Sequence, residues 1–441
     1  MSQAISLLST LISFLLGFSF IAAVHELGHL LMAKWCGIRV NRYMVFFPPK
    51  LFSWRWGDTE YGLGSIPLGG FVEIEGMGED TAADAKEPAP WDFRTKPAWQ
   101  RSLVMIGGIL FNLLSAYLLI ACLLVIAGTP YLAKEGLNEH GIAPTTLGQE
   151  VGLMRGDKVV QVNGHDFKEY TELFDAILEE GPLSYTVIRD EKQLEVAITA
   201  DVQQQLKEQL QEGKETLFVP LYLSNIKKVE AGSAADKAGL APGDSITSIN
   251  GKPTPYVQDL QEVLADHQEE MITIVYQRDG QTITTQVMLP KEGKLGIQSA
   301  DALPRMYKRY SLGPGLVEAG RKVPLIASLQ IQGIMKIITR KVSFLESVQS
   351  PVAIAGMFSQ YEGFSGFFWL IAFLSIILAL MNLLPIPALD GFHLLINLGE
   401  MVTGKKISPI WYARIQTAGA ALLIMLTIFL VLKDLYKLFF G

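Results

Sequence analysis

The sequence predicts a polytopic α-helical membrane protein of four transmembrane helices, with a membrane-associated β-hairpin and two α+β modules. Three observations predict it. Four long runs carry no charge, the polar middle of the chain repeats itself, and the composition suits neither a soluble enzyme nor a bare bundle of spans. Of 441 residues, 49% are apolar and 18% charged, and mean hydropathy is +0.28. That combination calls for a mixed membrane and soluble architecture. Net charge is −7, and no basic cluster points to nucleic acid. The two cysteines, Cys36 and Cys122, sit in or beside apolar runs, and no CxxC is present, so no disulfide framework is expected.

The charge-free runs are 1–24, 102–133, 363–389 and 415–432. Each nears or exceeds the roughly 18–20 residues that cross a hydrocarbon core. The first lacks a charged start and a small-residue cleavage site, which argues for a span and against a signal peptide. The expected segments are 1–35 (first span), 36–101 (loop, with the hairpin at about 59–76) and 102–128 (second span). Modules at 129–221 and 222–308 follow, then an amphipathic connector at 309–362. The third span is 363–391, a short segment occupies 392–413, and the fourth span is 414–435.

Lys and Arg set the orientation. Lys34, Arg39, Arg42, Lys50, Arg55, Arg94, Lys96 and Arg101 lie between spans one and two, and Lys405, Lys406 and Arg414 between spans three and four. Both segments are expected on the cytoplasmic side. The N-terminus and the long middle region then lie outside. Lys433 and Lys437 in the tail are a mild counter-signal.

In the middle region Gly152-Leu153, Arg155-Gly156-Asp157 and Val162-Asn163-Gly164 recur 87 residues later as Gly239-Leu240, Pro242-Gly243-Asp244 and Ile249-Asn250-Gly251. Leu173 and Ile177 match Leu260 and Leu264 at the same offset. A constant offset means two copies of one module. In each, a Gly-Asp turn leads to a strand, an Asn-Gly turn and an amphipathic helix, with further strands such as 271–276 and 282–288. The second copy resembles PDZ domains of the bacterial periplasmic kind. The first departs from it at Gln149-Glu150-Val151. Gly293-Lys294-Leu295-Gly296-Ile297 resembles the loop that receives a peptide carboxylate, so peptide C-termini are candidate partners, with a plain hairpin turn as the alternative. The acidic, Ala- and Pro-rich run 80–90 reads as a mobile loop. Residues 315–350 read as one or two amphipathic helices suited to the outer membrane surface.

The chemistry sits at His25-Glu26-Leu27-Gly28-His29. Histidines at i and i+4 share one helical face and can share a metal, and Glu26 beside them can take a proton from activated water. Neutral imidazoles suit zinc, so the expected cofactor is Zn2+, and the matching reaction is attack of activated water on a peptide carbonyl. The motif continues the first apolar run. Ionisable groups within a span cost about 2.5–3.5 kcal/mol each on the insertion scale, and a metal supplies the compensating partner. A charged cluster at the cytoplasmic end of the span is the alternative.

A tetrahedral site needs a third protein ligand at the same depth. The third span runs in the same direction as the first and ends Asn382-Leu383-Leu384-Pro385-Ile386-Pro387-Ala388-Leu389-Asp390-Gly391. Asp390 lies about as far along its run as His25 does along its own, which makes it the candidate. His393 competes, although an orienting or core role suits it better. Pro385 and Pro387 break the helix and free backbone groups beside the site.

At this point the sequence resembles the site-2 protease family, through HELGH on the first span and N-x-x-P-x-P-x-L-D-G on the third. The two intervening modules resemble its regulator of sigma-E protease branch. Ile66-Pro67-Leu68-Gly69-Gly70-Phe71-Val72, Phe93 through Gln100-Arg101, Asn112 and Ser350-Pro351-Val352-Ala353-Ile354-Ala355 also match. The resemblance implies an intramembrane zinc endopeptidase, with His25, His29 and Asp390 as ligands and Glu26 as general base. It also implies a bacterial inner-membrane location, periplasmic PDZ domains, and single-span substrates such as an anti-sigma factor and remnant signal peptides. Phe392 and Ile109 depart from the family pattern, which has Gly and Pro there.

Cutting a helix requires unwinding it. Residues 61–66 and 70–74 bracket a Pro-Leu-Gly turn and read as a β-hairpin whose edge, at Gly62, Leu63, Gly64 and Ser65, is expected to pair with extended substrate. Asn382, with Pro385 and Pro387, is expected to meet the substrate from the other side, while Asn112 packs or bonds between helices. A metal-dependent transporter and a PDZ scaffold with a dead protease core are the rival classes. Few spans, an intact Glu26 and an intact Asp390 count against them.

Overall fold

The computed structural model describes residues 2–77, 89–211, 217–230, 232–299, 305–361 and 363–440. Most of the acidic run 80–90 lies outside these residues. The chain divides into two compact units, Met1–Gly128 with Arg309–Gly441, and Thr129–Lys308.

Among the described residues, the first unit holds four helices long and apolar enough to cross a membrane: Leu8–Trp35, Ala98–Ile126, Gly363–Leu383 and Ile410–Asp434. The second begins four residues earlier than the expected 102 because Pro97 sits at its N-cap, where a missing N–H costs nothing. Spans one and two cross closely. A Cβ on Gly107 would stand 2.6 Å from the Gly28 carbonyl oxygen, so only glycine lets these backbones meet. Spans two and three share a core of Ala116, Ile120, Leu124, Ala372 and Ile376. The connector is helical over Leu312–Ile338 and Pro351–Gln360. Gly315 and Ala319 of the first of these helices are buried, and Ala319 joins the span two and three core.

Six of the seven tryptophans gather at one end of the unit and are exposed: Trp35, Trp54, Trp56, Trp91, Trp99 and Trp411. Trp35 closes span one, and Trp99 and Trp411 open spans two and four. This is the pattern of an interfacial aromatic belt.

Strands Val40–Trp56 and Thr59–Ile74 form a larger element than the expected hairpin. The tight turn is Gly57-Asp58, not Pro67-Leu68-Gly69. Each strand bends and pairs twice. Tyr43 pairs with both Tyr61 and Val72, Met44 with Gly62 and Phe71, and Val45 with Leu63 and Gly70. The segment 40–47 therefore lies between 59–66 and 70–74, and 50–56 covers the other side of 59–66. Gly62 and Leu63 are paired on both sides, Gly62 with Ser53 as well and Leu63 with Phe52. Among the described residues, 50–56 and 70–74 pair on one side only and form the edges. This corrects the expectation of an open edge at Gly62, Leu63 and Gly64, whereas Ser65 has no ladder partner among those residues. The physical reason is register: the long strand 40–56, which Pro48-Pro49 makes look like a loop, claims both sides of the inner segment.

In the second unit the two copies fold alike, each around its own core. Copy one pairs Lys158–Val162, Leu183–Arg189 and Lys192–Ile198, and copy two pairs Ser245–Ile249, Met271–Arg278 and Gln281–Met288. The repeated residues have structural work. Buried Asp157 accepts from Arg189 at 2.7 and 2.8 Å and from the Met154 N–H. Buried Asp244 accepts from Arg278 at 2.7 Å and from the Ala241 N–H. Asn163 and Asn250 take left-handed backbone at the Asn-Gly turns and accept from Ser184 and Thr273. The copies differ after the third strand. Copy one inserts the helix Ala200–Gln211, where copy two has the turn containing Gly293 and Gly296, both at positive φ. Strand Thr129–Leu132 pairs with Arg305–Lys308, so the unit's first and last residues, Thr129 and Lys308, are partners.

Candidate metal centre

His25 and His29 lie one turn apart near the C-terminal end of span one and are buried. The third span's helix stops at Leu383, and residues 384–389 form a turn that delivers Asp390 to the start of the helix Asp390–Thr403. Gly391 is required there, because a Cβ would lie 2.6 Å from the Leu383 carbonyl carbon. The turn carries Asp390 onto the two histidines. Its Oδ2 stands 3.0 Å from His25 Nε2 and 3.3 Å from His29 Nε2, and the two Nε2 atoms are 3.1 Å apart.

Each ring is oriented from behind. His29 Nδ1 donates to the Val104 carbonyl at 2.8 Å, which leaves Nε2 with a lone pair. Asn112 sets its amide 3.3 Å from His25 Nδ1. With Nδ2 toward the ring, its Oδ1 is buried without a donor. With the amide turned over, Oδ1 accepts from His25 Nδ1–H, which leaves Nε2 of that ring with its lone pair. Two lone pairs and a carboxylate oxygen then face one another, and Asp390 Oδ2 is buried without a hydrogen-bond donor. Such a triangle repels itself unless a cation stands among its corners. A tetrahedral zinc with bonds of about 2.0–2.1 Å spaces its ligands roughly 3.3 Å apart, close to what is seen. The donor set, two imidazoles and one carboxylate, fits that ion and leaves a fourth position for water or substrate.

His393 does not join the group. Its Nδ1 faces the Tyr412 hydroxyl, and Gln416 Nε2 donates to its Nε2 at 2.9 Å. Phe392, one of the two departures, is buried and stacks on Tyr412. Glu26 accepts from the Val72 N–H at 3.1 Å, which ties it to the free edge of segment 70–74. Asn382 brings Nδ2 within 3.3 Å of His25 Nε2. Pro385 is exposed, whereas Pro387 packs on span four, where a Cβ on Gly419 would lie 2.7 Å from its carbonyl oxygen. Gly62, Leu63 and Gly64 lie inside the sheet.

Val104, Gly107, Gly108 and Gln416 have no role assigned by the sequence pattern, and Val72 enters there only as part of a matching run. A Cβ on Gly108 would lie 2.6 Å from both His25 Cε1 and His29 Nε2. Adjacent glycines on a span, four residues before Asn112, were the available signal. Val104 and Val72 act through backbone atoms and carry no signature in their side chains.

The sequence pattern of peptidase family M50 matches residues 13–426. The chain belongs to peptidase family M50. With four apolar helices, this M50 peptidase is an integral membrane protein. It is 30% identical over 484 residues to a protein of Ralstonia nicotianae named as a zinc metalloprotease, covering 98% of this chain and 99% of the relative. A protein named regulator of sigma E protease from Haemophilus influenzae is 28% identical over 464 residues, covering 98% and 100%. Protease RseP of Yersinia pestis is 27% identical over 468 residues, covering 98% and 100%.

Proposed function

We propose that this zinc metallopeptidase hydrolyses peptide bonds in or near transmembrane segments, with His25, His29 and Asp390 holding the metal and Glu26 as general base. The observation that carries the reading is the triangle of two imidazole nitrogens and one carboxylate oxygen, 3.0–3.3 Å apart, held by residues of the apolar helices and the turn between them. His25 and His29 lie ten and six residues before Trp35, or about 9–15 Å below the tryptophan belt at 1.5 Å per residue. That depth favours a scissile bond inside the membrane, near one surface.

Bound zinc supplies Lewis acidity toward water and the scissile carbonyl. The protein's residues do the rest. Val104 and Asn112 fix the imidazoles so that Nε2 faces the centre. Glu26 takes the proton of the attacking water and returns it to the leaving amine. Segment 70–74, with its free edge beside Glu26, receives the unwound substrate as an added strand. Asn382 offers its amide to the substrate backbone, and the break at Pro385 and Pro387 keeps that space from closing as helix.

The substrate class is single-span membrane proteins, including an anti-sigma factor in an envelope stress response and remnant signal peptides. The relative named regulator of sigma E protease favours it. The location is the bacterial inner membrane, with the repeated modules, read as PDZ domains, in the periplasm and the metal near the cytoplasmic side. Copy two keeps a glycine turn suited to a peptide carboxylate. In copy one Tyr170, Phe174, Phe218 and Tyr185 pack together, and the Tyr170 hydroxyl donates to the Phe218 carbonyl. Copy two is the better candidate for receiving a peptide C-terminus.

The test is a tagged single-span substrate offered to wild type and Glu26→Gln, with zinc measured in both. The variant is expected to keep zinc and lose cleavage by at least about 100-fold. Equal cleavage by the two proteins would sink the mechanism.

A further inference from the structure

One side chain of span four reaches the turn that presents Asp390 at two points. Ala388 is a non-glycine residue at φ 77°, in the left-handed region that L side chains resist. Its N–H donates to Gln416 Oε1 at 2.5 Å. The other end of the same amide, Nε2, donates to His393 Nε2 at 2.9 Å. That bond puts the ring proton of His393 on Nδ1, toward Tyr412. Asp390 lies between these contacts, two residues after Ala388 and three before His393. Pro387 is pressed against Gly419, one helical turn beyond Gln416.

We infer that Gln416 is a positioning residue for the metal centre: it bridges Ala388 and His393, and so holds the strained turn in the shape that brings Asp390 onto His25 and His29. The inference rests on the reading of those three residues as zinc ligands. Its logic is geometric. Left-handed backbone at an alanine persists only where the surroundings hold it, and the bond from the Ala388 N–H to Gln416 is the hold on that peptide. An amide is the side chain for this task, because it accepts from a backbone N–H at one end and donates to a neutral imidazole at the other. Leucine fills similar space and does neither.

The experiment uses the full chain in detergent micelles, with zinc affinity measured by competition against a chromogenic chelator. Gln416→Leu is expected to weaken zinc binding about 10–100-fold, the usual effect of losing a group that orients a metal ligand. Adding Ala388→Gly in the same protein is expected to recover most of that loss, because glycine takes φ 77° without an anchor. The thermal unfolding midpoint of the zinc-free Gln416→Leu protein should match wild type. Three results overturn the inference: wild-type zinc affinity in Gln416→Leu, no recovery on adding Ala388→Gly, or a lowered midpoint in the zinc-free protein. Asp390→Asn separates the two readings. If it also binds zinc as wild type does, the ligand set is wrong. If it loses zinc while Gln416→Leu does not, the ligand set stands and only the role of Gln416 falls.

Discussion

At the residue scale, the centre depends as much on what is missing as on what is present. Gly108 contributes no side chain, and that is its function: the space a methyl group would take belongs to His25 and His29. Gly108→Ala is therefore expected to displace one imidazole and to lower bound zinc well below one per chain after dialysis, measured by plasma mass spectrometry. Full zinc occupancy in that variant would mean that the helices can part by the needed fraction of an ångström. Gly107→Ala should act differently, because its Cβ would press on the Gly28 backbone and the Met32 side chain, not on a ligand. Of the residues at the centre, those with distinctive chemistry were legible: two histidines at helical spacing, a glutamate beside them, and an aspartate after a Pro-rich helix end. The residues that orient them through carbonyls, N–H groups or absent side chains were not, since a sequence lists side chains and these act without one.

At the scale of elements, the sheet of residues 40–74 would, in the proposed mechanism, limit how substrate can approach. Its inner segment has no backbone to spare at Gly62 and Leu63, and its free edge at 70–74 faces Glu26 through Val72. The Val72 N–H points away from its partner Tyr43, so proline at this position removes the bond to Glu26 without breaking the ladder. Val72→Pro is expected to keep zinc and to lower the cleavage rate about 10–100-fold, because the base loses its tether and the added strand one donor. A rate within twofold of wild type, with zinc retained, would remove segment 70–74 from the mechanism. The alternating pattern at 61–74 was enough to predict strands here. It was not enough to predict their partners. Local alternation reads as a hairpin within 59–76, while the pairing reaches back to residues 40–47. Register set by distant segments leaves little trace in a local pattern.

At the scale of the whole molecule, the division into a membrane unit and a repeated polar unit was legible, because charge-free length and an 87-residue offset are properties of sequence alone. The contact of Gln416 with the Asp390 turn was not, since no spacing rule connects residues on two separate spans. The repeated unit also carries the proposal about selectivity. If its modules exclude substrates with bulky external domains until another protease has trimmed them, replacing residues 129–308 with a short Gly-Ser linker should permit cleavage of untrimmed substrate. Cleavage would be read from tagged substrates with and without a folded external domain. Unchanged discrimination between the two would defeat the exclusion idea.

That replacement is practicable for a reason visible in the chain's path. Thr129 and Lys308 face each other across a two-stranded ladder, where opposed Cα atoms stand about 5 Å apart. The 180 residues between and including them thus begin and end at one doorway. The polar unit is a cassette on a double stem. Cutting at the two strands of that stem would leave the remaining chain with ends close enough to be joined by a short loop.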